Sequence, residues 1–208
     1  MVTASADGTA WVWDLRGELP TFVVLEGHQG AVLFASFSAD GTHVITASAD
    51  GTARAWDLRR ALPVLVALEG HQGAVLSASF SADGTHVVTA SDDKTARVWD
   101  LRAESPSFVA LEGHQGPVVS ASFSADGTHV VTASDDKTAR VWDLRTKPPS
   151  FVALEGHQGA VHSASFSADG THGVLGQNGA GVGFARRAAH LHRPRGASDS
   201  GPLRVVQR

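Results

Sequence analysis

The sequence predicts an all-β protein assembled from one repeated unit, and three observations carry that prediction. Trp-Asp begins at residues 13, 56, 99 and 142; Gly-His-Gln-Gly at 27, 70, 113 and 156; Phe-Ser-Ala-Asp-Gly-Thr-His at 37, 80, 123 and 166, every step being 43 residues. Each step holds short β-branched runs bounded by turn dipeptides, the pattern of brief strands joined tightly. Residues 77–102 and 120–145 are identical over 26 positions. A fixed period of this length marks stacked supersecondary units that share one core.

The period that starts at Ala74 shows four strands. Residues 74–80 form the first. Asp83-Gly84 turns the chain, with glycine available for positive φ. Residues 86–90 form the second strand, and the turn at 92–94 leads to the third at 95–99. A Pro-containing loop follows, and residues 108–111 form the fourth. The connectors 17–20, 60–63, 103–106 and 146–149 differ most between periods, as loops without a core constraint do.

The ends do not complete the pattern. Residues 1–15 supply a second and third strand with no first. Three whole units follow, at about 31–69, 74–112 and 117–155, and the first strand of another lies near 160–167. If that strand joins the N-terminal partial unit, a ring of four closes; otherwise the array is an open arc with unpaired edges.

Composition narrows the function classes. With 42% hydrophobic residues in 208, the chain is not wholly disordered. No apolar run reaches membrane-spanning length. The absence of cysteine rules out disulfides, thiolate zinc sites and cysteine nucleophiles. The first residues carry neither a basic region nor an apolar core, so no signal peptide is read and a cytoplasmic location is expected. Residues 1–172 hold 11 basic and 20 acidic side chains. Such an acidic body does not suit nucleic acid.

These motifs closely resemble the WD-repeat (β-transducin-like) family over residues 1–172. The resemblance implies a β-propeller of four-stranded blades. Here it would be partial, with three complete blades and partial blades at both ends. It also implies a non-enzymatic scaffold for a protein or peptide partner. The near-identical tandem copies are similar to repeat arrays appended to large bacterial regulatory proteins, so a fragment of such a protein is expected. A propeller-based hydrolase or lactonase, or a non-functional fragment, is the alternative.

Every period carries His, Ser, Asp and Trp at constant offsets: His28, Ser48, Asp50 and Trp56; His71, Ser91, Asp93 and Trp99; His114, Ser134, Asp136 and Trp142. A hydrolase needs one such set in one pocket, not one per unit. The resemblance implies a structural chain from Asp to His to a strand hydroxyl to the Trp indole. Thr89 or Thr132 is an alternative source of that hydroxyl. Histidines spaced by whole units do not converge on a metal, so neither a metal nor a cofactor is expected.

Candidate binding residues are those that vary within the repeated frame. They are Leu33, Phe34, Leu76, Val119 and His162 on the innermost strands, and Asp92 and Asp135 before the conserved-offset Asp. A propeller gathers them at one rim, with Phe34 as an apolar anchor and the two acids favouring a basic partner. Self-association through open blade edges is a further expectation.

Residues 173–208 depart from the period and hold six arginines and one acid. Read one base later, codons compatible with residues 177–187 encode Lys-Thr-Ala-Arg-Val-Trp-Asp-Leu-Arg-Ala. Later ones permit Leu-Glu-Gly-His and Phe-Ala-Ser-Phe-Ser in order. The tail is expected to be a frameshifted repeat, displaced by a net loss of about eight bases after the His172 codon. A segment made this way was not selected to fold and is expected to be disordered.

Overall fold

The computed structural model describes residues 1–59, 64–103, 105–167, 173–177 and 180–182. Strands are the only regular elements among them. The first sheet holds β1 (Val2–Ala4), β2 (Ala10–Asp14) and β3 (Thr21–Leu25). The second holds β4 (Val32–Phe37), β5 (His43–Ser48), β6 (Ala53–Asp57) and β7 (Val64–Leu68). The third holds β8 (Val75–Phe80), β9 (His86–Ser91), β10 (Ala96–Asp100) and β11 (Ser107–Leu111). The fourth holds β12 (Val118–Phe123), β13 (His129–Ser134), β14 (Ala139–Asp143) and β15 (Ser150–Leu154). A fifth holds β16 (Ser163–Phe166), β17 (Gly173–Gln177) and β18 (Ala180–Val182). Each sheet is an antiparallel meander whose neighbours in sequence are neighbours in space.

Local chemistry explains the turns. In the third sheet Ser81 Oγ donates to Asp83 at 2.5 Å and accepts the His86 N–H at 3.0 Å. Gly84, at φ 70°, closes the turn. The equivalent turns of the second and fourth sheets repeat this arrangement. The aspartate of each Trp-Asp pair does not point inward. It clamps the start of the connector by pairing with the arginine two residues on, as in Asp100–Arg102 at 2.6 Å.

The sheets pack face to face, which decides the composition of the second strands. In β9 every residue after His86 is buried. Val87 faces the preceding sheet and Val88 the following one. A strand covered on both sides loses the apolar–polar alternation of a half-exposed strand. Each junction joins a large side chain to a face of small ones. Trp99 packs with Ile45, Ala47, Ala53, Ala55 and Leu68 of the sheet before it. Trp142 meets Val88, Ala90, Ala96, Val98 and Leu111 in the same way. Full burial of one such indole stabilises by about 2–3 kcal/mol.

Strand pairing decides one open alternative and departs from one expectation. β16 pairs with β17, with Ser163 opposite Gly176 and Phe166 opposite Gly173, and lies in a different sheet from β1. The four-blade closure through that strand is therefore not formed. Nor is the chain without structure from residue 173, because β17 and β18 extend the fifth sheet. The free edge of β16 supplies the template. The expectation for residues 183–208 lies outside the described residues.

Candidate functional site

Among the described residues the repeated polar chain is present in three copies. His71 Nδ1 lies 2.7 Å from Asp93 Oδ2, and His71 Nε2 lies 2.8 Å from Thr89 Oγ1. The Trp99 indole N–H donates to the same threonine oxygen at 2.9 Å. The copies built on His28, Thr46, Asp50 and Trp56, and on His114, Thr132, Asp136 and Trp142, have matching distances. The hydroxyl at the centre is the threonine; the serine occupies another place. Register is the reason. Val87 stands opposite Trp99, which puts Thr89 one diagonal step away on the same face and Ser91 two steps away. Ser91 Oγ instead donates to Gly73 O at 3.2 Å and accepts the Asp93 N–H at 3.1 Å. Ser48 and Ser134 do the same in their sheets.

The proton placement follows from these contacts. A carboxylate only accepts, so His71 Nδ1 carries the hydrogen and Nε2 accepts from the Thr89 hydroxyl. Burial pushes the His28, His71 and His114 pKa values down, against the pull of the aspartate partner. The rings are therefore neutral at pH 7. Burial alone would raise the Asp93 carboxyl. The Thr95 hydroxyl, the His71 ring and the Gln72 N–H outweigh it and hold the pKa at about 2. Asp50 and Asp136 are likewise depressed. Thr89 has 0% exposure, and no substrate reaches its oxygen without unfolding the blade. Among the described residues no group of three or more His, Asp or Glu is placed to hold a metal ion.

A second polar element, half-buried at Arg54 and Arg97 and buried at Arg140, carries no signal in the repeat motifs described above. Arg97 and Arg140 lie beside the indoles of Trp99 and Trp142, and the Arg97 guanidinium stacks on Phe108 at 4.3 Å, as Arg140 does on Phe151; Arg54 holds the same place in the repeat. Arg140 Nη2 donates to Gly113 O at 2.9 Å. The Gly-His glycine makes room for this group. Gly70 has φ 131°, and a Cβ there would meet Arg97 Nη1 at 2.5 Å. The available signal was the arginine two residues before each Trp at 56, 99 and 142.

The rim is built by bulges. In β4, β8 and β12 the pairing register shifts across Leu33, Leu76 and Val119. A bulge leaves its extra residue out of the ladder and re-aims its side chain. Leu33 is 45% exposed; Leu76 and Val119 are half-buried. Phe34, expected as the anchor, instead packs against the Ile45–Trp99 cluster. It resumes the ladder opposite Ala47, which turns it inward. Asp92 and Asp135 are exposed. The turn of one sheet sits beside the inner strand of the next, since the Val32 N–H donates to Ser5 O at 2.9 Å and Val161 to Ser134 O at 3.0 Å. His162 lies 3.9 Å from Asp135 across the last such junction. Lys94 and Lys137, at φ 71° and 72°, stand two residues beyond the acids and are exposed. The rim thus runs from aliphatic at Leu33 to mixed charge at Asp135, rather than uniformly acidic. At the opposite end of the strands, a cavity of about 420 Å³ is lined by Val12, Phe22, Phe37 and Leu58 beside the Asp14–Arg16 pair.

Compared with known proteins, residues 20–57, 63–100 and 105–143 each match the family described as "WD domain, G-beta repeat", together more than half of the chain. No curated protein matches the chain.

Proposed function

Because this chain belongs to the WD-repeat family, we propose that it is a non-enzymatic protein-interaction scaffold that holds its partner on the bulge-built rim. The observation that carries the reading is the row Leu33, Leu76, Val119 and His162. These are the positions where an otherwise repeated frame differs, and in β4, β8 and β12 a bulge turns them out of the ladder. Leu33 and Leu76 supply apolar contact. Asp92, Asp135 and His162, with Lys94 and Lys137, set orientation by charge. The partner is a protein or peptide with an apolar end and a charged end.

The hydrolase alternative is weakened by the chain that suggested it. Its hydroxyl is fully buried, its histidine is engaged at both nitrogens, and the set recurs in each complete blade. As further parts of the proposal, the protein acts in the cytoplasm, as part of a larger regulatory protein, and residues 173–208 are a displaced repeat. Genomic DNA after the His172 codon is then expected to continue with Trp-Asp repeats in the shifted frame. Absence of repeats in every frame would refute that part.

The rim is tested by panning a random peptide library on the immobilised protein. Enriched peptides should bind at least tenfold more weakly to the Leu33→Asp/Leu76→Asp variant, with circular dichroism showing that the variant is folded. No enrichment, or equal binding to the variant, would overturn the reading.

A further inference from the structure

The first sheet carries a three-ring aromatic face, where the interior blades pair Trp99 with Phe108 and Trp142 with Phe151 but add no second indole. Val2 and Val12 pack against the second sheet, so alternation sends Thr3, Trp11 and Trp13 to the other side. Phe22 stands opposite Trp13 in the ladder. The three rings form one cluster: Trp11 lies 5.4 Å from Trp13 and 4.5 Å from Phe22, and Trp13 lies 5.5 Å from Phe22. Phe22 is 52% exposed, and Met1 and Leu15 are exposed as well. Among the described residues no sheet covers this face.

Two features say what fits it. Trp13 is the repeat equivalent of Trp56, Trp99 and Trp142, and still receives a threonine, its N–H donating to Thr3 Oγ1 at 3.0 Å. Those three indoles are buried against a trailing face of small aliphatic side chains on the preceding sheet. The complement of the Trp13 face is thus displayed three times within the chain itself. Trp11, moreover, replaces the arginine of the interior blades at 54, 97 and 140. The exchange removes a cation and adds a large apolar surface where the sheet is uncovered. A contiguous apolar patch that is half-buried at Trp11 and Trp13 and exposed at Phe22 suits an interaction site.

A trailing sheet is also present. In the fifth sheet Val174 stands opposite Ser165 as Ile45 stands opposite Ser36 in the second. No described sheet follows it.

We propose that the Trp11–Trp13–Phe22 face is an interface for a second copy of this chain, which docks by its β16–β18 sheet in the geometry of the internal junctions. The contact is head to tail, so it does not close at two copies but propagates. It is separate from the rim, and Leu33→Asp leaves it unchanged.

Sedimentation velocity of the whole chain, from low to several-hundred micromolar, tests this. The weight-average coefficient should climb past the dimer value with concentration. Trp13→Arg puts a cation where every internal junction places a buried indole, so it should sediment as a monomer, with circular dichroism showing that it is folded. Val174→Arg blocks the other end and should also be monomeric. Mixing the two variants should regenerate a dimer and nothing larger, since one good face of each kind remains. A wild type that stays monomeric, growth that stops at two, or a mixture that stays monomeric would each overturn the proposal.

Discussion

Replacing Thr89 with valine removes one oxygen and keeps the shape of the side chain. That oxygen accepts the Trp99 indole N–H at 2.9 Å and donates to His71 Nε2 at 2.8 Å, at a site with 0% exposure. Both ring groups are left buried without a partner. Each orphaned group costs about 1–3 kcal/mol, so the variant should lose about 3 kcal/mol while its apolar contacts persist. Ser91→Ala is the comparison. It strips partners from the Asp93 N–H and Gly73 O, two groups at the rim end of the strand, and should cost about 1–1.5 kcal/mol. Urea unfolding, read by fluorescence, measures both differences at constant slope. The Trp99 indole N–H resonance should shift and lose exchange protection in Thr89→Val alone. If Ser91→Ala is as damaging as Thr89→Val, or if Thr89→Val lies within about 0.5 kcal/mol of wild type, the threonine is not the hub.

Other consequences can be measured in the same way. His28, His71 and His114 have lowered pKa values in the folded state, so the unfolded chain takes up protons first as pH falls below about 6.5. Stability should be full above that pH and fall on acidification, falling again below about 4 as Asp50, Asp93 and Asp136 are protonated. A melting temperature that rises between pH 7 and 5 would contradict this. Gly70→Ala should cost about 1–2 kcal/mol more than Gly156→Ala. Both glycines have positive φ, but only at Gly70 does the added carbon strike an arginine, while Gly156 has open space. Equal losses would show that the guanidinium moves freely. Lys94→Gly relieves a left-handed lysine at φ 71° and should stabilise by about 0.5–1 kcal/mol, against the entropy glycine adds to the unfolded chain. A loss in thermal melts would mean that the lysine side chain makes a contact that matters.

The amino-acid sequence by itself determined the repeat, the four strands of the period that starts at Ala74 to within a residue, the turns, and the His, Asp and Trp of the buried polar chain. Periodicity and turn dipeptides are local signals, and four copies in one register remove their ambiguity. Much of the Gly-His and Trp-Asp logic was legible for that reason. Three matters waited for tertiary structure. Thr89 and Ser91 lie on the same face of β9, so alternation alone does not choose between them; the cross-strand register opposite Trp99 does. Leu33 and Phe34 are adjacent apolar residues, and only the bulge decides that Leu33 faces solvent while Phe34 joins the core. That β16 pairs with β17 and not with β1 was the third. The hydrogen-bonding groups of both edges are chemically the same, and backbone geometry selects between them.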